Sequence, residues 1–95
     1  LYMTKAEIVS RIAQQTGIEK EVVMTVVEAF MENVKDAMIA GNEVFLRGFG
    51  SFIIKQRAEK VARNISKNTT IVIPAHSIPA FKPAKVFLSA VKEGK

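Results

Sequence analysis

Five cations recur through one polar stretch: Lys55, Arg57, Lys60, Arg63 and Lys67 stand two to four residues apart, with Glu59 as the acid among them. At that density Lys and Arg can neutralise the phosphates of a polyanion and release its condensed counterions. The flanking residues Ile53, Ile54, Val61, Thr69, Thr70, Ile71, Val72 and Ile73 favour strands and show no helical period. The stretch predicts two extended strands joined at a polar tip near residues 64–68, a basic ribbon projecting from a small body. If the outgoing strand runs on from Ser51, then Ile53, Lys55, Arg57, Glu59, Val61 and Arg63 share one face at intervals of about 7 Å, with Lys60 on the other. The return strand, 69–78, carries no Lys or Arg. Its Pro74 lacks an amide donor and belongs on a sheet edge.

Other chemistry is thin. The chain has one histidine and no cysteine, so disulfides are excluded and a metal would have only His76 to hold it. His76 reads as a sheet-edge residue. No nucleophile, base and acid come together, and the clustered carboxylates Glu21, Glu28, Glu32 and Asp36 fall on the solvent side of a helix. The expectation is a binding protein with no catalytic site, cofactor, metal or small-molecule substrate.

The elements that would position the ribbon are legible from their ends. Thr4-Lys5-Ala6-Glu7 fits a capping box, and Ile8, Val9, Ile12 and Ala13 follow as an apolar stripe up to a stop at Gly17. A second helix is expected over 19–40, with Val23, Val27, Phe30, Met31, Val34 and Met38 on a stripe too wide for one short helix to cover. Gly41-Asn42 ends it. Residues 43–47 predict a short strand. Gly48-Phe49-Gly50 predicts a tight turn with Phe49 inward, and Pro79 and Pro83 bracket Ala80-Phe81-Lys82 ahead of a helix over 84–91.

Ninety-five residues allow one domain. Without the ribbon the body is roughly 60 residues, marginal on its own, so a second subunit is the expected staple. Charge is asymmetric. Residues 1–43 carry four basic and seven acidic side chains, net −3, whereas 44–95 carry ten basic and two acidic, net +8. A basic excess confined to one half suggests a polyanion-binding face. No apolar run is long enough to span a bilayer, and no leader pattern is present, so an intracellular protein is expected.

Gly48-Phe49-Gly50-Ser51-Phe52, Arg57-Ala58-Glu59-Lys60, Arg63-Asn64 and Pro79-Ala80-Phe81-Lys82-Pro83, at these spacings, strongly resemble the bacterial histone-like HU and integration host factor family over about residues 3–92. The resemblance implies an α+β fold in one domain, 1–95. A helical dimerisation base lies at about 4–41, a saddle and long β-arm at 43–81, and a C-terminal helix at 84–92. It implies an intertwined homodimer, or a heterodimer with a paralogue, with Phe30, Phe49, Phe52 and Phe81 in the dimer core. Double-stranded DNA would be the partner, held in the minor groove and bent with low sequence specificity, in the cytoplasm and on the nucleoid. DNA-contacting residues by this resemblance are Arg47, Lys55, Arg57, Lys60, Arg63, Asn64, Ile65, Lys67, Lys82 and Lys85, with Lys5 and Lys92 as flank candidates.

The chain departs from the family at its tip. Ile65 stands where a wedging proline is usual, and isoleucine is also an intercalating residue in minor-groove binders. Asn68 replaces a glycine, Thr69 and Val72 replace common basic residues, and Ala84 replaces a glycine. Arg47 is shared with one integration host factor subunit, which leaves a site-specific bender as an alternative. A rival of another class is a membrane-surface or protein-interaction module using the basic hairpin.

Overall fold

The structure is a computed structural model that describes residues 2–64 and 69–94, the side chain of Asn64 excepted. It is α+β, with three helices and antiparallel strands. Two compact units divide between Asp36 and Ala37.

The first unit is helical. Helix α1, Lys5–Thr16, opens on the expected capping box: the Thr4 hydroxyl accepts from the Glu7 amide, and the Glu7 carboxylate accepts from the Thr4 amide. Gly17, at φ 78°, closes it by donating to the Ala13 carbonyl. Helix α2, Lys20–Ile39, runs on into the second unit. Lys5 Nζ meets Glu28 Oε2 at 2.7 Å on the exposed surface, worth at most about 1 kcal/mol. Val9 and Val23 are the buried apolar side chains among the described residues. Of the expected α2 stripe, Val23 is buried, Val27, Val34 and Met38 are half-buried, and Phe30 and Met31 are exposed. Val22 and Val26, outside it, are exposed too, and an aliphatic groove lies along Ile12, Ile18, Val22, Val23, Val26 and Val27.

At its end α2 turns through a Schellman motif, in which Gly41 donates to Met38 and Asn42 to Ala37. Strand β1, Val44–Leu46, then pairs with β2, Gly50–Arg57, across a turn closed by the Phe49 amide on the Leu46 carbonyl. Because β1 is short, the Glu43 carboxylate takes the Ile54 amide at 3.0 Å in place of a strand carbonyl. Strand β5, His76–Pro83, lies on the far side of β2, giving the order β1-β2-β5. Strands β3, Lys60–Asn64, and β4, Thr69–Ile73, form a separate two-stranded ribbon. Helix α3, Lys85–Glu93, follows directly, its start tied to the glycine turn by the Ala84 amide on the Phe49 carbonyl. Among the described residues no helix is long and apolar enough to cross a membrane.

Two expectations are corrected. The outgoing and return strands are not continuous: pairing lapses at Ala58-Glu59 and at Pro74-Ala75. The return chain also runs through Pro79-Ala80-Phe81 as strand rather than ending before it. Both follow from proline parity. Arg57 pairs with His76 and Lys60 with Ile73, so two residues are skipped on each side and the register is unchanged. With the Ile54 amide turned toward Glu43, even positions of β5 are the ones that bond across to β2. Pro79 and Pro83 sit at odd positions on the free edge and cost no bond. Pro74 falls at an even position, where a donor is required, and the ladder breaks there. The His76 ring fills in locally, its Nδ1–H donating to the Pro74 carbonyl at 2.9 Å.

Gly50 has no room for a side chain. A Cβ there would lie 2.6 Å from the Phe81 ring and 2.7 Å from the Lys82 carbonyl oxygen. Since that ring is held by other aromatics, Gly50→Ala is expected to destabilise the fold by about 1–3 kcal/mol. The midpoint of urea unfolding checks this. Gly48→Ala, where a Cβ meets open space, separates backbone strain from this clash.

Candidate nucleic-acid interface

Cross-strand register sorts the side chains of the sheet onto two faces. On one face stand Phe45, Ser51 and Lys82 in a row, followed by Ile53 with Ala80, Lys55 with Ile78, and Arg57 with His76. The other holds Val44, Phe52 and Phe81 in a row, then Ile54 with Pro79, and Gln56 with Ser77. The second face is the aromatic one. Phe81 is its hub, with ring centroids 5.1 Å from Phe49, 5.1 Å from Phe52 and 6.2 Å from Phe87; Phe49 and Phe87 stack at 5.5 Å. These separations lie in the range that favours offset and tilted ring pairs. Helix α3 joins this face through Phe87, so the opposite face, with Lys55, Arg57 and Lys82, is left without a helix of this unit over it.

The cations of that open face are unpaired. Lys55, Arg57 and Lys82 are exposed, and among the described residues no carboxylate lies within 4.0 Å of them. The helical unit behaves differently. There Lys5 is held by Glu28, and Lys35 lies 3.0 Å from Glu32, whose hydrogen bond and charge raise the lysine pKa. Arg47 sits at the corner of the β1–β2 turn, and Lys85 begins α3. Together with Lys82, Glu43, Phe45, Ser51 and Ile53 they line a groove of about 600 Å³.

The remaining site residues fall outside this cluster. Lys60 pairs with Ile73, and its parity sets it on the opposite side of the ribbon from Val61 and Arg63, as expected. Arg63 pairs with Thr70, and Asn64 closes the described ladder against Thr69. Ile65 and Lys67 lie outside the described residues. Phe49 and Phe52 each meet Phe81 within the chain, whereas Phe30 belongs to the helical unit. Phe49 is not buried by its own chain: it remains 45 % exposed, Phe30 46 % and Phe81 39 %.

Two residues escaped the sequence reading. Phe87 completes the aromatic cluster; the signal was an aromatic one turn into a helix that starts beside the glycine turn. Phe45 projects onto the basic face. Its signal was the alternation Val44-Phe45-Leu46 opposite Ser51.

A family model described as "Bacterial DNA-binding protein" matches residues 3–92. The chain is 36% identical over 90 residues to the DNA-binding protein HU of Geobacillus stearothermophilus, covering 95% of this chain and 100% of that one. It is 37% identical over 91 residues to the DNA-binding protein HU of Thermus thermophilus, covering 96% of this chain and 94% of that one. In structure it is similar to HU in a cocrystal with DNA from Anabaena, with TM-score 0.90, 34% identity, and coverage of 96% of this chain and 99% of that one.

Exposed and unpaired, the cations of the basic face should contribute little to folding. Lys55→Ala, Arg57→Ala and Lys82→Ala are each expected to shift stability by no more than about 0.5 kcal/mol. Phe81→Ala, which removes the hub of the ring cluster, should cost several times that. Thermal melts of the four variants at one protein concentration check both.

Proposed function

This chain belongs to the bacterial DNA-binding protein family that includes HU, and from that membership we propose that it is an architectural protein that binds and bends double-stranded DNA. The observation that carries the reading is the sorting of Lys55, Arg57 and Lys82, unpaired, onto the face opposite the aromatic cluster. Such a face meets phosphates without first breaking internal ion pairs, and gives affinity that depends on salt and little on sequence.

In this reading the sheet is the saddle. Arg47, Lys55, Arg57, Lys82 and Lys85 contact the backbone from it. Lys60, Arg63, Asn64, Ile65 and Lys67 follow the minor groove along the arm. The groove's donor and acceptor pattern is nearly degenerate, so the arms respond to width and deformability. Bending follows the mechanism general to architectural proteins of this kind: unstacking at a wedge, here Ile65, is offset by contacts along the bent flanks. The protein is a binding protein and not an enzyme, and works at the nucleoid.

The working unit is a homodimer, with residues 1–95 of each copy forming one functional domain. This is supported by what a single chain leaves uncovered: Phe30, Met31, Phe49 and Phe81, with Val22 and Val26 on α2, are all exposed. Burial of those side chains against a second copy offsets the small core of each. The thermal midpoint should therefore rise with protein concentration, and sedimentation should give a dimer mass.

Binding to a short random-sequence duplex, titrated with salt, tests the function. The triple variant Arg57→Ala, Lys60→Ala, Arg63→Ala should flatten the slope of log affinity against log salt by up to about one unit per lost contact. Its melting curve should stay in place. Salt-independent binding, or none, would overturn the reading.

A further inference from the structure

Phe45 is placed in a way that neither folding nor the aromatic cluster explains. It is 72 % exposed, on a strand whose neighbours Val44 and Leu46 turn to the other side. Its cross-strand row continues through Ser51 to Lys82. It also helps line the groove shared by Arg47, Lys82, Lys85 and one carboxylate, Glu43, which is engaged by the Ile54 amide. An aromatic ring left in water among unpaired cations is matched to one kind of surface. That surface carries phosphates for the cations and flat, weakly polar groups between them. The minor groove of a duplex offers both, with deoxyribose and base edges between its phosphate walls.

Resting on the DNA-binding reading above, we propose that Phe45 is a DNA-contacting residue of the saddle. Its ring packs on sugars and base edges of the minor groove while Arg47 and Lys82 hold the flanking phosphates. This contact adds affinity that salt does not weaken, because no counterion is released when the ring docks. It is separate from any wedge at the arm tip, and it acts near the centre of the bound site rather than at its ends.

The test uses the full chain and a short random-sequence duplex. Phe45→Gln should weaken binding roughly tenfold at every salt concentration, the scale of removing one apolar side chain from a buried contact. The lines of log affinity against log salt for the two proteins should run parallel, unlike those of the arm-charge variants. Phe45→Trp introduces the sole tryptophan of the chain. Its emission should change on adding duplex and saturate together with the binding signal. Equal affinity of Phe45→Gln and the unmodified protein at every salt, or tryptophan emission unmoved at saturation, overturns the proposal. So does a fall in the concentration-dependent thermal midpoint of Phe45→Gln, which would mean that a second copy covers the ring. Absence of salt-dependent binding by the unmodified protein is a different failure, overturning the DNA-binding reading itself and this contact with it.

Discussion

The register between β2 and β5 governs this molecule. Because side chains alternate, a slip by one residue would carry every side chain of one strand to the opposite face. Lys55 and Arg57 would then turn toward the face that carries α3, where charge loses its water, and Phe52 would leave its partner Phe81. Two separate features hold the observed register. The Phe81 ring fills the space that a Cβ at position 50 would need, so only glycine fits at that position. Pro79 and Pro83 occupy positions that donate outward, and a slip would bring them to positions where an amide is required. Packing and hydrogen bonding thus select the same pairing, the agreement between levels expected of a chain with one native arrangement.

The same parity shapes the arm. Pro74 is out of phase with the other two prolines, and the ladder is interrupted beside it without a change of register. Beyond that break, β3 and β4 pair only with each other. A two-stranded ribbon is marginal alone in water. Its cross-strand pairs Val61 with Val72 and Ala62 with Ile71 supply modest packing, and both valines and Ile71 stay exposed. The ribbon thus presents cations and small apolar groups together, a composition suited to a narrow groove with charged walls and a less polar floor.

Burial sets the other constraint. Val9 and Val23 make a very small buried apolar core for the described residues. Entropy lost on ordering the backbone, about 1–2 kcal/mol per residue, demands far more apolar burial than that. The exposed aromatics and the exposed apolar side chains of α2 are where the missing burial is available. On the proposed reading, the sheet's aromatic side for self-association and its basic side for a polyanion are not in competition, since alternation along β2 places them on opposite sides of one sheet.

What the sequence determined by itself is what depends on neighbours within a few residues. The capping box at Thr4 and Glu7, the stops at Gly17 and Gly41, and the turn at Gly48 rest on local hydrogen bonds and backbone conformation, and each is found where expected. The charge asymmetry and the cations of the arm are also local facts. Tertiary structure decided the rest. That Pro74 breaks the ladder while Pro79 and Pro83 do not depends on which of their neighbours lies across the sheet, and sequence spacing does not contain that. That Phe87 joins Phe49 and Phe81 depends on where α3 docks. That Phe45 shares a face with Lys82 depends on two successive pairings, Phe45 with Ser51 and Ser51 with Lys82, between residues 37 positions apart in the chain. Alternation along a strand is local, but which side becomes the inside is settled only when distant strands pair and bury one of them.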